Sequence, residues 1–328
     1  MSIQISIIGL GQIGASIGLA LADHNKNIVR VGHDKDSATA RAAKKLGAVD
    51  EIKRNLPNSV READIIVLSL PLSEIKDTLG YIVQDLKEDA VILDTAPVKK
   101  AVQMWMQELL PAGRSYIGLV PVINPEYLHE KEFGVNAARA DLFQNGVTMI
   151  AAPPNTSGET VQLAADLAQL LGSQPLFSDI TEIDGLMSSI HLLPQLTAAA
   201  LLNATVDHPG WNEARKLAGR PYAETTRASL HPESARSLSD AALLNGENTV
   251  RVLDGMIASL QTLKESISAE DKDALDEQLT RAEEGGLNWL DERLKAGWLF
   301  KDDKGGPSIN VAGISERLFG IRQKKPRS

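Results

Sequence analysis

The sequence Gly9-Leu10-Gly11-Gln12-Ile13-Gly14 directly follows the apolar run Ile3–Ile8, and it decides the fold of the first half of the chain. A strand that leads into G-x-G-x-x-G and then into a helix forms a site for the pyrophosphate of a dinucleotide. The first glycine makes the tight turn, the second lets the backbone approach the phosphates, and the third lets the helix pack closely on the strand. The helix N-terminus, which includes Gln12 and Ile13, offers unpaired N–H groups to the anion.

The residues that follow support a dinucleotide site rather than an isolated glycine turn. Residues 15–22 are small and apolar, as expected of a helix packed tightly on a sheet, and a second apolar run, Ile28–His33, leads to Asp34. A carboxylate 20 residues after Gly14 accepts hydrogen bonds from the adenosine ribose hydroxyls and repels a 2′-phosphate. We therefore expect NAD as the cofactor, with NADP left open because Lys35 beside the acid could tolerate the phosphate.

Length, charge and composition limit the class of protein. The 328 residues suggest two domains, and a hydrophobic fraction of 43% with 23% charged residues is ordinary for a globular protein. A net charge of −9 argues against nucleic acid as a main partner. The absence of cysteine excludes thiol catalysis and thiolate metal sites, and no metal is expected. The chain starts directly in a strand and no apolar run reaches transmembrane length, so we expect a cytoplasmic protein without a membrane partner.

Apolar runs alternate with helical patterns up to about residue 178, which is typical of a parallel sheet. The predicted fold is α/β: a doubly wound parallel sheet (Rossmann-like) over residues 1–178, followed by an all-α helical domain over 179–300 and a loop and tail over 301–328. Residues 183–206 are apolar nearly all round, which predicts a buried helix. Because so apolar a helix is usually also covered by a partner subunit, we expect a homodimer through the helical domain.

Ligands bind at the carboxyl ends of the strands in such a sheet, so the residues that follow each predicted strand are candidates for the site. Ser69, Leu70 and Pro71 follow one strand and would lie along the nicotinamide side of the cofactor, or would simply end the strand. Lys99, at the end of Asp94-Thr95-Ala96-Pro97-Val98-Lys99, could hold a substrate carboxylate or be a solvated helix lysine. Asn124 could bind substrate, but Asn-Pro also marks a turn.

These motifs in this order resemble the prephenate/arogenate dehydrogenase family. The resemblance covers roughly residues 3–260 and also includes Gly118-Leu119-Val120-Pro121, residues 133–143, Leu192-Leu193-Pro194-Gln195 and Glu224-Thr225-Thr226-Arg227. It implies a nucleotide-binding domain, with Thr95 on the nicotinamide side, and a helical domain that forms an intimate dimer. Family members oxidise the ring C4 hydroxyl of prephenate or arogenate by hydride transfer to NAD(P)⁺, with loss of the ring carboxylate, on the way to tyrosine.

The chain departs from the family pattern at the residues expected to do chemistry. Val120 stands where the family has the histidine that accepts the hydrogen bond of the substrate hydroxyl, and Pro97 stands where it has a serine. Where the family has Ser-His-Leu-Pro-His, this chain has His191-Leu192-Leu193-Pro194-Gln195. Where the family has small residues shortly after the Gly118 motif, this chain has Asn124-Pro125-Glu126. Arg227 matches the arginine that binds the side-chain carboxylate of the substrate, and Lys99 is also retained.

We therefore expect an NAD-dependent oxidoreductase that acts on a small carboxylated substrate, either prephenate or another molecule. Arg227, Lys99, Asn124 and Gln195 are the predicted substrate-binding residues, and the two histidines His191 and His129 are the only local candidates for the missing base. Two alternatives remain. One is a dinucleotide-binding protein without catalysis, and the other is a reductase of a keto acid or an imine on the same fold.

Overall fold

The first part of the chain forms a single eight-stranded sheet. The computed structural model describes residues 2–24, 26–230 and 235–296, so the expected loop and tail over 301–328 lie outside the described residues. The strands are β1 (Ile3–Ile8), β2 (Ile28–His33), β3 (Glu51–Ile52), β4 (Ile65–Leu68), β5 (Val91–Asp94), β6 (Ser115–Pro121), β7 (Val147–Ala151) and β8 (Gln174–Phe177).

The strand order is β3-β2-β1-β4-β5-β6-β7-β8, and the first six strands are parallel, as in a dinucleotide-binding sheet. The predicted doubly wound parallel sheet is confirmed, with one difference: β7 pairs antiparallel with β6, while β8 pairs parallel with β7. The physical reason lies in the connection. The chain between β6 and β7 forms 3₁₀ turns at Pro125–Tyr127 and Gly134–Ala137 instead of a crossover helix, so it returns in the opposite direction.

Helices cover both faces of this sheet, as the doubly wound prediction requires. Alternate residues of β4 point to opposite faces, so that Ile65 and Val67 join one buried apolar cluster and Ile66 and Leu68 join the other. The helices are α1 (Gln12–Ala20), α2 (Ser37–Lys45), α3 (Leu56–Val60), α4 (Leu72–Ile82), α5 (Lys99–Leu109) and α6 (Gly158–Leu170).

The rest of the described chain is helical, which confirms the predicted class of the second domain. Its elements are α7 (Ile180–Met187), a π-helical turn (Ser188–Leu192), α8 (Leu193–Val206), α9 (Trp211–Leu217), α10 (Arg220–Thr226), a 3₁₀ turn (Arg227–Leu230), α11 (Ala235–Leu244), α12 (Gly246–Ser268) and α13 (Lys272–Lys295). The segment from α7 to α8 is one long helix. Pro194 lacks an N–H and so removes a helical hydrogen bond just after the π turn, which accounts for the irregularity there.

This long helix is less buried within one chain than the sequence predicts. Ile180, Ile183 and Met187 are buried in its first half, but in α8 the buried residues are Gln195 and Ala198, and Ile190 is 70% exposed. Within the described residues the helix is long and apolar enough to cross a membrane, so the expectation that no run reaches this length is wrong. That finding rests on length and composition alone, and the core helix of a soluble protein passes the same test.

Arg30 of β2 is a buried cation that ties several elements of the first domain together. Its Nη1 donates to the carbonyl oxygens of Gly18 and Gly47, both at 2.8 Å, and its Nε and Nη2 donate to the carboxylate of Asp50 at 3.1 and 2.5 Å. Burial alone raises the pKa of Asp50, but the hydrogen bonds and charge of Arg30 outweigh it and hold that pKa below its usual value. The pair therefore links β2 to α1 and to the end of α2.

We predict that Arg30→Ala lowers the free energy of unfolding by about 3 kcal/mol, because it removes the guanidinium that neutralises Asp50 and donates to two carbonyl groups. Thermal and urea unfolding of the two proteins measure the loss. Because the pKa of Asp50 is lowered on folding, its contribution is present above about pH 4 and is lost as the pH falls through the folded-state pKa. Arg41→Ala, which removes an exposed arginine of α2, is the control and should change stability by less than about 0.5 kcal/mol. Equal losses in the two variants would contradict the prediction.

Candidate nucleotide and substrate site

The carboxyl ends of the central strands meet at one edge of the sheet. Their register pairs Ile8 with His33 and Leu68, Leu68 with Asp94, and Asp94 with Gly118. The residues that follow these positions therefore lie side by side, namely the glycine turn, Asp34, Ser69-Leu70-Pro71, Thr95 and Val120. The sheet thus brings together the predicted cofactor residues.

The three glycines of the turn have different physical roles. Gly9 has a φ of +89°, and a Cβ on it would lie 2.1 Å from the carbonyl oxygen of Ser69. A Cβ on Gly14 would lie 2.0 Å from the carbonyl oxygen of Gly9. Among the described residues, a Cβ on Gly11 would meet no atom within 4 Å. The fold itself thus requires Gly9 and Gly14, whereas Gly11 faces open space of the kind that a phosphate group would occupy.

The start of α1 suits an anion. Gly11 is the N-cap residue, and the first turn, which includes Gln12 and Ile13, carries no acidic side chain. A helix N-terminus presents N–H groups that lack an acceptor within the helix, together with the positive end of the helix dipole. We call the open space next to Gly11 the cradle. This cradle and the N–H donors of the helix start fit the pyrophosphate of a dinucleotide.

Asp34 lies at the end of β2, and its carboxylate is fixed by the glycine turn. The backbone N–H groups of Leu10 and Asp36 each donate to one of its oxygens at 2.8 Å. Each oxygen keeps further acceptor capacity, so ribose hydroxyls can still bind. Lys35, which left NADP open, forms an ion pair with Glu74 in the first turn of α4. Its charge is therefore already balanced by an acid, which favours NAD.

Asp94 ends β5 at the centre of a fully buried polar cluster. The Nζ atom of Lys99 donates to Oδ1 at 2.8 Å, the hydroxyl of Tyr116 donates to Oδ2 at 2.6 Å, and the N–H of Ala96 donates to Oδ1 at 2.9 Å. Burial lowers the pKa of Lys99 and raises that of Tyr116 well above its usual value, and the charge of Asp94 opposes the first shift and adds to the second. A Cβ on Gly118 would lie 2.7 Å from Cδ of Lys99, so glycine is required there.

This cluster corrects the expectation for Lys99. Its side chain is 0% exposed and is paired with Asp94, so it is neither a carboxylate anchor in an open cleft nor a solvated helix lysine. Asn124 is likewise a structural residue. Its side chain accepts from the N–H of Glu126 at 3.1 Å and donates to the carbonyl of Asp141 at 3.3 Å, which is the turn interpretation of Asn-Pro.

The connection between β6 and β7 lies between the glycine turn and the helical domain. From α1, Gln12 donates to the carbonyl of Ala137 at 3.3 Å and Ser16 accepts from the N–H of Arg139 at 3.0 Å. Arg139 also pairs with Glu130 at 2.6 Å. From the helical domain, Arg227 donates to the carbonyl of Glu130 and lies 6.0 Å from the ring of Phe133. The connection thus brings Arg227 toward the cofactor turn.

The wall of the site at the end of β6 is apolar. Val120 is 8% exposed and packs in a cluster with Ala151, Ile180, Ile183 and Met187. Pro97, which follows β5, is also buried. The surroundings of Val120 are therefore hydrocarbon from both domains.

The remaining candidates lie on different elements. His129 is exposed on the β6–β7 connection, and His191 is half-buried in the π turn. Gln195 is buried, and its amide nitrogen donates to the carbonyl of His191 at 2.9 Å. Their roles in catalysis and substrate binding stay predictions. Sequence reasoning missed Tyr116 and Glu130, because no local pattern marks a residue whose partners lie on other elements.

A largely parallel sheet with a glycine turn, a ribose-site carboxylate and a helical domain against the same sheet edge defines a two-domain, nucleotide-dependent oxidoreductase. Residues 17–175 match the family model for the prephenate dehydrogenase nucleotide-binding domain, and residues 180–281 match the model for the prephenate dehydrogenase dimerization domain. The chain belongs to the prephenate dehydrogenase family.

Individual relatives extend over most of the chain. The cyclohexadienyl dehydrogenase of Zymomonas mobilis is 25% identical over 286 residues, which are 87% of this chain and 95% of that protein. The prephenate dehydrogenase of Bacillus subtilis is 26% identical over 282 residues, 84% of this chain and 73% of that protein. The crystal structure of Aquifex aeolicus prephenate dehydrogenase with hydroxyphenyl propionate and NAD⁺ superposes with a TM-score of 0.76 at 20% identity, covering 88% of this chain and 98% of that chain.

We predict that Gly11→Ala leaves the fold intact but weakens NAD⁺ binding by at least about tenfold, or about 1.4 kcal/mol. The added methyl group meets open space in the protein but would occupy the approach to the phosphates. Calorimetric titration gives the affinity and thermal unfolding gives the stability. Gly14→Ala should instead lower stability, because its Cβ meets the carbonyl of Gly9.

Gly80→Ala is the matched control for the added methyl group. Gly80 is exposed within α4, and among the described residues a Cβ on it would meet nothing within 4 Å. NAD⁺ affinity should be unchanged in this variant, and stability should rise by up to about 1 kcal/mol. An unchanged affinity in Gly11→Ala would exclude this turn as the pyrophosphate site.

Proposed function

We propose that the protein is an NAD-dependent dehydrogenase that oxidises a small carboxylated cyclohexadienyl substrate, in a step on the way to tyrosine. The observation that carries this proposal is the open cradle at Gly11, at the same sheet edge as the carboxylate of Asp34 and close to the arginine-bearing helical domain. The names of the relatives from Zymomonas mobilis and Bacillus subtilis describe the same class of reaction. A cytoplasmic location stays a prediction.

The cofactor half of the site is supported by residues from four strand ends. Gly9, Gly11, Gln12, Ile13 and Gly14 would hold the pyrophosphate, Asp34 the adenosine ribose, and Ser69, Leu70, Pro71 and Thr95 the nicotinamide side. Bound NAD⁺ would supply the hydride acceptor. The pairing of Lys35 with Glu74 supports a preference for NAD⁺ over NADP⁺, since a 2′-phosphate would meet two acids near that lysine.

The substrate half of the site rests on Arg227. A guanidinium group binds a carboxylate through two parallel hydrogen bonds, and Arg227 reaches from the helical domain to the connection that borders the cofactor turn. The hydrogen bond to the carbonyl of Glu130 uses only one nitrogen of the Arg227 guanidinium group. We therefore assign Arg227 to the side-chain carboxylate of the substrate, with Gln195 as a further candidate contact on the long helix.

The proton step distinguishes this chain within its family. Oxidation of a hydroxyl group sends a hydride to the cofactor and a proton to a base, and Val120 cannot take that proton. A positioned base contributes a factor of about a hundred or more to such a step. The chain therefore either works slowly on prephenate or arogenate, or uses another group, for which His191 and His129 are the candidates.

We predict that Val120→His raises kcat for prephenate or arogenate by about a hundredfold over the wild-type protein, because it restores a base at the end of β6. NADH formation at 340 nm, followed with NAD⁺ and then with NADP⁺, measures both the rate and the cofactor preference. The wild-type protein should oxidise either substrate faster with NAD⁺ than with NADP⁺.

Val120→Phe is the matched control, because it adds a ring of similar size without a nitrogen. A gain in Val120→His that Val120→Phe does not share assigns the effect to the base. Wild-type turnover that exceeds that of Val120→His would show that this chain has replaced the histidine by another group. NAD⁺ binding without turnover of any dienyl, keto acid or imine substrate would favour the non-catalytic alternative.

The helical domain would form a homodimer. Its family model is described as a dimerization domain. Large apolar side chains remain exposed on its helices in the single chain, among them Ile190, Leu243, Ile257 and Leu287. Burial of such side chains is the usual driving force for a stable subunit interface. A partner over α8 would also account for the low burial of this apolar helix.

We predict a molar mass of about twice 35.3 kDa in light scattering after gel filtration. Ile190→Asp should shift the protein toward the monomer, because a carboxylate would be buried without a partner in the interface. Tyr81→Asp, which changes an exposed residue of α4, is the control and should leave the mass unchanged. A wild-type monomer at micromolar concentration would contradict the proposed dimer.

A further inference from the structure

Besides α1, which starts at the glycine turn, two helices of the nucleotide-binding domain start without a side-chain cap of their own. The residues before α4 and α5 are Pro71 and Val98, and neither side chain has an oxygen that could accept a hydrogen bond from the first helical turn. Both helices follow the strand ends, at Ser69-Leu70-Pro71 and Thr95, that we assign to the nicotinamide side of the cofactor. The conformation of these strand ends therefore depends on what holds the two helix starts.

The helical domain supplies the cap for α5. Asp184 of α7 is 2% exposed, and its two carboxylate oxygens accept from the backbone N–H groups of Lys99 at 2.6 Å and Lys100 at 3.1 Å. Its own carbonyl accepts from the side chain of Asn245, which precedes α12, at 2.8 Å. One residue of the helical domain thus links the start of α5 to two helices of that domain.

The helical domain also supplies the cap for α4. The Oγ atom of Ser237 in α11 accepts from the backbone N–H of Leu72, the first residue of α4, at 3.1 Å. Ser237 is 1% exposed, so this contact is buried in the interface between the two domains. Two separate helices of the helical domain therefore cap the two helices that follow the nicotinamide-side strand ends.

We propose that Asp184 and Ser237 are positioning residues, through which the helical domain fixes Ser69-Leu70-Pro71 and Thr95 for the nicotinamide end of the dinucleotide. The adenosine end would not depend on them, because Asp34 and the glycine turn are fixed by contacts within the first domain. This inference rests on the proposed cofactor. If the cofactor binds as proposed, the interface between the domains determines the geometry of the bound cofactor as well as the stability of the protein.

The burial of Asp184 explains why α5 and α7 pack in one defined arrangement at the domain interface. Burial raises the pKa of Asp184, and the N–H groups of Lys99 and Lys100 and the charge of Lys99 act in the opposite direction. A buried carboxylate is stable only where such donors meet it. A small displacement of α5 from α7 would therefore remove the partners of this group, so the two helices have one favourable arrangement.

The test compares NAD⁺ with ADP-ribose, which has the adenosine, both phosphates and the second ribose but no nicotinamide ring. We expect Asp184→Ala and Ser237→Ala, in the full-length protein, to weaken NAD⁺ binding by about tenfold in calorimetric titration and to leave ADP-ribose binding within about twofold. A purely structural role would weaken both ligands together or neither. Asp184→Asn keeps one acceptor oxygen and should give an intermediate NAD⁺ affinity.

The matched control lies on the same helix. Asp179 is the N-cap of α7 and accepts from the N–H of Glu182 at 2.8 Å, but it is exposed and caps only its own helix. Asp179→Ala should leave the ratio of NAD⁺ to ADP-ribose affinity unchanged. The inference is overturned if this control changes the ratio as much as Asp184→Ala, or if both Asp184→Ala and Ser237→Ala preserve it. Failure of the wild-type protein to bind either ligand would instead reject the proposed function, and the inference with it.

Discussion

The buried carboxylate of Asp94 is the interaction on which the arrangement of the site depends. A charge at this depth is stable only with donors around it, and it has three: the ammonium of Lys99, the hydroxyl of Tyr116 and the N–H of Ala96. These donors come from α5, from β6 and from the turn after β5. One carboxylate therefore ties the end of β5 to the neighbouring strand β6 and to α5, and Asp184 extends the same polar cluster into the second domain.

The sequence predicts the features that local chemistry determines. The glycine turn, the carboxylate at Asp34 and the period of the buried strands follow from short stretches, and the structure has them where they are expected. Long-range packing decides the rest. Nothing near Lys99 indicates that it pairs inward with Asp94, and nothing near Asp184 indicates that it caps a helix of the other domain. The direction of β7 likewise depends on a connection that forms 3₁₀ turns where a crossover helix is usual.

The two halves of the site differ in how much of their geometry the backbone sets. The cofactor half is made of helix starts, glycines and strand ends, whose positions are fixed by the sheet itself. The proposed substrate half is made of side chains from the helical domain, such as Arg227 and Gln195, and from the β6–β7 connection. Such side chains can change without disturbing the sheet, which is why fold membership and substrate identity are separate conclusions here.

The antiparallel return from β6 to β7 has a consequence for how this architecture can diverge. The strands on either side are paired directly with each other, so the connection is a closed loop with fixed ends. Lengthening such a loop costs little, since each doubling adds only about 0.6 kcal/mol of closure entropy. Insertions in the exposed part of the connection, at residues 131–133, would therefore cost the fold little while they remodel the space beside Arg227. This loop is the segment in which selection could most readily alter the substrate.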